Sequence, residues 1–181
     1  MATDADDFQA LMKEVGVELS PPLDFVLCVP RKNSVFSYQH AVRSPSGDLE
    51  LRYRIDSIQR LKEERRIANE GIEVLSSTDL NNLHEYSCMA ALFNLSGGEA
   101  RPPRVFEPEV ARDLFGADWT ALSFFRLADH DFAPGYNSTG VFCFHKKDVA
   151  DVYLIGVFND GYEEGGNVSR LFDEPPGFRF L

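Results

Sequence analysis

The stretch VFCFHKKDVADVYLIGVF, Val141 to Phe158, decides how this chain folds. It holds two apolar runs joined by the charged segment KKDVAD (146–151), which reads as a hairpin turn between strands. Side chains alternate across a strand, so Val141, Cys143 and His145 share one face while Phe142, Phe144 and Lys146 share the other. In the second run Val152, Leu154, Gly156 and Phe158 lie opposite Tyr153, Ile155 and Val157. Both faces are apolar. Such a strand pair belongs in the middle of a sheet covered on each side, which predicts helix, sheet and helix layers. Tight turns between successive strands make the sheet largely antiparallel. The expected fold class is α+β: one domain over residues 1–181, an antiparallel sheet with helices on both faces (an α/β/α sandwich), an N-terminal helix within 1–20 and a C-terminal tail over 159–181.

Upstream of this hairpin, WTALSFFRL (119–127) reads as a strand and ADHDFAPGYNSTG (128–140) as a loop of turn formers. EPEVARDLFG (107–116) predicts a short helix, with Pro108 in its first turn and Gly116 as its stop. The prolines of RPPRVF (101–106) confine that piece to a sheet edge or a linker. The principal helix is predicted in STDLNNLHEYSCMAALFNLSGG (77–98). There Ser77, Thr78 or Asp79 can cap, Leu80, Leu83, Tyr86, Ala90 and Phe93 recur at helical spacing, and Gly97 stops the helix. Its second half, CMAALFNL, is apolar nearly all round, which implies contact on more than one side.

Nearer the N-terminus, VFSYQHAVR (35–43) and LELRYRID (49–56) flank the turn SPSGD, giving a first hairpin. In its second strand Leu49, Leu51, Tyr53 and Ile55 alternate with Glu50, Arg52, Arg54 and Asp56, so one face is expected to be buried and the other wet. Phe8, Leu11, Met12 and Val15 mark an amphipathic helix over Asp4 to Val15. Pro21 and Pro22 forbid its continuation, and Leu23 to Val29 reads as a short strand. Ser57 to Ser77, with KEERR at 62–66, reads as a surface helix or a long excursion. The terminal FRFL is expected to dock back on the domain.

A chain of 181 residues, 44% hydrophobic and 12% aromatic, is sized for one core. With 18 Lys and Arg against 29 Asp and Glu, its formal charge of -11 repels nucleic-acid backbones and anionic membranes, so neither is an expected partner. The opening MATDADDFQALMKEVGVELS has no basic or apolar leader region, and no segment approaches the ~20 apolar residues of a membrane span. A cytoplasmic protein is expected. Its three cysteines, Cys28, Cys88 and Cys143, sit in apolar runs and read as reduced packing thiols, while the N-x-S/T triplets at Asn94, Asn137 and Asn167 matter only in a secreted chain. Nothing in the sequence sets an oligomeric state.

Several groupings invite chemistry. His84 and Cys88 share a helical face, and Cys143 and His145 share a strand face, so these four can in principle close a zinc tetrahedron. No C-x-x-C or H-E-x-x-H spacing supports that, and apolar surroundings argue against a reactive thiol. Asp129, His130 and Asp131 gather on a loop, where turn chemistry explains the aspartates. NDGYEEGG (159–166) lacks the alternating ligands of a calcium loop, and SGGEA (96–100) follows a helix where a phosphate loop would open one. The strongest ligand candidates are Arg52 and Arg54, on one sheet face, with His40 across the hairpin and His130 nearby; if that face is covered, the guanidiniums suit carboxylates or phosphates. No catalytic residue, metal or cofactor is predicted.

The order of elements, an early hairpin, a long central helix and a late run of strands, resembles the PsbP-like superfamily, which joins the extrinsic photosystem subunit with a yeast Ran-binding import factor. LELRYRI, FNLSGG and ADWTALSFF also resemble phrases in uncharacterised bacterial proteins. The resemblance implies a non-enzymatic, protein-contacting scaffold. Its members do different jobs on one fold, so no functional residue is carried across, and Ser57 to Ser77 matches no family element. The expected function is a non-catalytic protein-interaction module, meeting another protein through the wet face of the first hairpin or the aromatic loop Phe132 to Tyr136. The alternative is a small anionic-ligand binder or enzyme with its pocket at Arg52 and Arg54.

Overall fold

A computed structural model describes residues 4–68, 79–128, 131–159 and 177–181. The deciding hairpin is there: β7 (Ser138–Lys146) and β8 (Ala150–Phe158) run antiparallel, pairing Val141 with Ile155, Phe142 with Leu154 and Cys143 with Tyr153. The turn is tighter than KKDVAD suggests, because Lys146 already pairs with Ala150 and Asp151 with His145. Asp148 takes a positive φ of 60° in that turn, a conformation Asp tolerates better than most residues.

Seven strands form the main sheet in the order β2 (Val26–Cys28), β3 (His40–Arg43), β4 (Leu49–Ser57), β8, β7, β6 (Trp119–Arg126) and β5 (Arg104–Val105), each neighbour antiparallel. One face is covered by α1 (Asp4–Val15), α4 (Pro108–Phe115) and a two-stranded sheet of β1 (Val17–Leu19) with β9 (Phe178–Phe180). Phe8, Leu11, Met12 and Val15 of α1 are buried there, as their spacing requires. Against the other face lies α3 (His84–Ser96), with Cys88, Ala91, Leu92 and Leu95 turned inward onto Val141, Cys143, Ile155 and Val157. The sandwich follows from sequence: every residue of β8 is buried, and every residue of β7 up to His145.

The terminal FRFL docks through β9, which pairs with β1, and the Leu181 amide donates to the Gly16 carbonyl. Gly116 closes α4 in the left-handed conformation (φ 63°), and a Cβ there would meet the Phe180 carbonyl oxygen, so the glycine sets how closely the tail approaches.

Several expectations change. The first hairpin is not half wet: β4 lies third in the sheet, paired along all nine residues with β8, and Glu50 and Arg52 are buried beneath the α3-side layer. The principal helix starts at His84; Asp79 instead caps a short 3-10 turn, Leu80–Asn82, by accepting from the Asn81 amide. Nor do the described residues enclose α3 on a second side, since Tyr86, Met89 and Phe93 remain exposed. The strand read at Leu23 to Val29 is reduced to Val26–Cys28, and the charged stretch after β4 is helical as α2 (Ile58–Ala68), while 69–77 lies outside the described residues.

Candidate functional site

Arg52 is built into the fold. Its Nε donates to Glu50 Oε1 at 2.7 Å, its Nη1 donates to the Phe132 carbonyl, and its guanidinium lies 4.5 Å from the Phe132 ring centroid and 4.9 Å from that of Tyr38. With side-chain exposures of 1% and 3%, Arg52 and Glu50 form a buried pair whose remaining needs are met by Arg43 and the backbone. Burial pushes the Glu50 carboxyl up, yet Arg52 and Arg43 together hold it below its ordinary value. The same contacts pin the aromatic loop: Phe132 is buried and the Tyr136 hydroxyl donates to the Gly47 carbonyl, so the loop is core lining and not a free docking surface.

His40 stands apart from the arginines. It pairs with Tyr53 and therefore points to the opposite face, where its ring stacks on Phe8 at 4.6 Å with an interplanar angle of 1°. Burial depresses its pKa, so the neutral imidazole behaves there as an aromatic packing group. His130 lies outside the described residues; Asp131 beside it accepts from the Ser34 amide and hydroxyl, both at 3.3 Å.

Arg54 does face a cavity. Its Nε donates to both Asp56 oxygens at 2.9 and 3.0 Å, its Nη1 donates to Ser37 Oγ at 3.2 Å, and it sits 4.8 Å over the Phe36 ring. Asp56 opens a polar row that register alone defines: Asp56 on β4 pairs with Asp151 on β8, Asp151 with His145 on β7, and His145 with Trp119 on β6. His145 Nδ1 donates to Asp151 Oδ1 at 2.6 Å. From α3, the His84 ring lies flat on His145 (4.1 Å, 11°) and edge-on to Trp119 (5.0 Å, 66°), while its Nδ1 donates to the Asn81 carbonyl at 2.7 Å. Burial, with Asp151 and Glu64 nearby, raises the Asp56 carboxyl against the opposing pull of Arg54.

The sequence's four-residue zinc grouping is thus drawn to one region, but as packing. The two imidazoles present faces to each other, and Cys88 and Cys143 lie together in the core with burial pushing the Cys143 thiol well up. Among the described residues no group of three His, Cys, Asp or Glu is arranged to hold a metal ion. Such a thiol is a poor nucleophile.

Two cavities, of about 410 and 460 Å³, adjoin where Arg54, Asp56 and Ser87 line both. The first also takes in Asp151, Glu64 and Arg65; the second, Ser37, Asn94 and Tyr153. Together they form a furrow between α3 and the end of β4. Sequence reading found Arg54 but not Asp56 or Asp151 as partners, because Asp56 was read as facing water and Asp151 as turn. The missed signal was the three-residue turn, which places Asp151 opposite His145 on a covered face.

The architecture is PsbP-like. The chain is similar to the solution structure of cyanobacterial PsbP (CyanoP) from Synechocystis sp. PCC 6803, at 13% identity and a TM-score of 0.53, over 92% of this chain and 88% of that one. No family model matches the chain, and no curated protein matches it in sequence. At that identity the likeness carries the fold alone. Among the described residues no helix is long and apolar enough to cross a membrane.

Proposed function

We propose that the protein is a non-catalytic protein-interaction module of the cytoplasm that meets its partner with the outer side of α3. The observation that carries this is the placement of Tyr86 and Phe93, 76% and 62% exposed and two helical turns apart, with Met89 between them at 38%. Folding gains little from large aromatic side chains held in water, whereas Tyr, Phe and Met are the types concentrated at the centres of protein interfaces. The helix is a rigid platform for them, because its inner side is locked onto β7 and β8 by Cys88, Ala91, Leu92 and Leu95. The all-round apolar character of CMAALFNL then has a reason: the sheet takes one side and a partner takes the other.

The test is affinity capture from the native host with the wild-type chain and with Tyr86→Ser/Phe93→Ser. A protein retained by the first and lost with the second, at equal folding, is expected. Capture of the same proteins by both, or of none by either, overturns the reading. The furrow under Arg54 favours a second activity, the binding of a small molecule; Arg52, engaged inside the fold, has no part in it.

A further inference from the structure

The furrow has walls of both signs. Arg54 and Asp56 sit two residues apart on β4, and Asp151 is the cross-strand neighbour of Asp56. Arg54 uses its Nε on Asp56 and one Nη1 hydrogen on Ser37; its other guanidinium hydrogens make no hydrogen bond among the described residues. Its plane is steadied by the rings of Phe36 at 4.8 Å and Tyr153 at 5.9 Å, which makes it a pre-oriented fork for a carboxylate. Among the described residues Asp56 accepts only from Arg54, and Asp151 only from His145, so both carboxylates keep acceptor capacity beside that fork. A simple anion here meets Asp56, Asp151 and Glu64, and a simple cation meets Arg54 and Arg65. Only a molecule carrying both charges close together is attracted at each end.

We propose that this furrow binds a small zwitterion, with an ammonium and a carboxylate in close apposition as in a free α-amino acid or a short peptide, Arg54 taking the carboxylate and Asp56 with Asp151 the ammonium. The two cavities, about 410 and 460 Å³, are of small-ligand size. Ile58, Leu61, Leu80 and Leu83 line the first, which gives an aliphatic side chain an apolar wall next to the charges. Ser87 and Asn94 add neutral donors where the second cavity begins. The inference is independent of the partner surface on α3, because the furrow lies along a different flank of that helix.

Calorimetric titration and thermal melts of the full chain test this with leucine, the dipeptide Leu-Leu, N-acetyl-leucine, leucinamide and inorganic phosphate. Leucine or Leu-Leu is expected to bind and raise the melting temperature, and whichever does so identifies the free amino acid or the peptide as the source. N-acetyl-leucine and leucinamide, each lacking one charge, should bind at least about tenfold more weakly, as one charge-assisted hydrogen bond requires. Arg54→Gln and Asp56→Asn should each cause a similar loss. Ser87→Leu, which fills the meeting point of the cavities without touching the charges, should abolish binding and keeps the test informative if a charge variant misfolds. Equal binding of phosphate or N-acetyl-leucine reduces the site to an anion site and overturns the proposal. So does equal binding of leucinamide, or silence with every probe.

Discussion

The two faces of one sheet are built from different chemistry. Under α1, α4 and β9 the residues are Leu51, Tyr53, Ile55, Phe142, Phe144, Val152, Leu154 and Phe158, a dry aromatic and aliphatic layer. Under α3 the same strands carry Glu50, Arg52, Arg54, Asp56, His145 and Asp151 among Val141, Ile155 and Val157. Stability is cheap to obtain from the first kind of face and costly from the second, where each charge needs a partner. Ionic groups kept on a covered face are therefore where specificity, and a ligand furrow, are to be sought.

The strongest way to break this contrast is to open the dry face. Phe144 stacks on Phe142 and Phe178 at 5.4 and 4.4 Å, meets Phe115 edge-on at 5.1 Å, and is 1% exposed. Phe144→Ala should lower stability by about 3–5 kcal/mol, read as a fall in the urea midpoint at constant slope. A loss under ~1 kcal/mol would deny that this layer holds the fold.

On the polar face, Arg52→Met removes one partner of a buried pair and should cost about 3 kcal/mol, because Glu50 is left with Arg43 alone. The loop over 131–136 should also lose hydrogen-exchange protection, since Arg52 holds the Phe132 carbonyl. Replacing both residues, Glu50→Leu with Arg52→Met, should cost less than Arg52→Met alone. If the double variant is the weaker, the pair is a net source of stability and the contrast between faces shrinks.

Two carboxylates on that face should respond to pH in opposite senses. Glu50 is held below its ordinary pKa, so its contribution is present above the unfolded value and is lost as pH falls through the lower folded value. Asp56 is raised by burial, so the native state keeps its proton more tightly, and stability falls as pH rises from the ordinary carboxylate range through the folded value. Urea midpoints measured from about pH 3 to 7 should therefore fall less with rising pH in Asp56→Asn, and fall less on acidification in Glu50→Gln. Matching slopes in wild type and both variants would remove the distinction.

The dry face was legible from alternation alone: Phe142, Phe144, Val152 and Leu154 declare a buried side, and their partners on α1 declare another. The polar face was not, because Glu50, Arg52, Arg54 and Asp56 alternate as a solvated face does. What separates a wet charge from a buried one is cover supplied from distant sequence, here Phe132, Phe36 and α3, and spacing along one strand holds no record of it. His40 was misjudged for a related reason: register puts it opposite Tyr53, and one residue of slip moves a side chain to the other face. Arg54, singled out on the condition that its face be covered, does line a cavity.

The smallest expected effect lies on the outer side of α3. Tyr86 and Phe93 stand mainly in water, so replacing them with serine removes little buried area and should change the urea midpoint by no more than about 0.5 kcal/mol. Phe93 does lie near Gly98, where an added Cβ would sit 3.2 Å from its ring, so a modest local cost belongs to that contact. A loss near the Phe144→Ala value would instead mean that these side chains are covered in the native chain. The apolar ring of α3 would then be a third interior surface, and the helix would have no outer side to offer a partner.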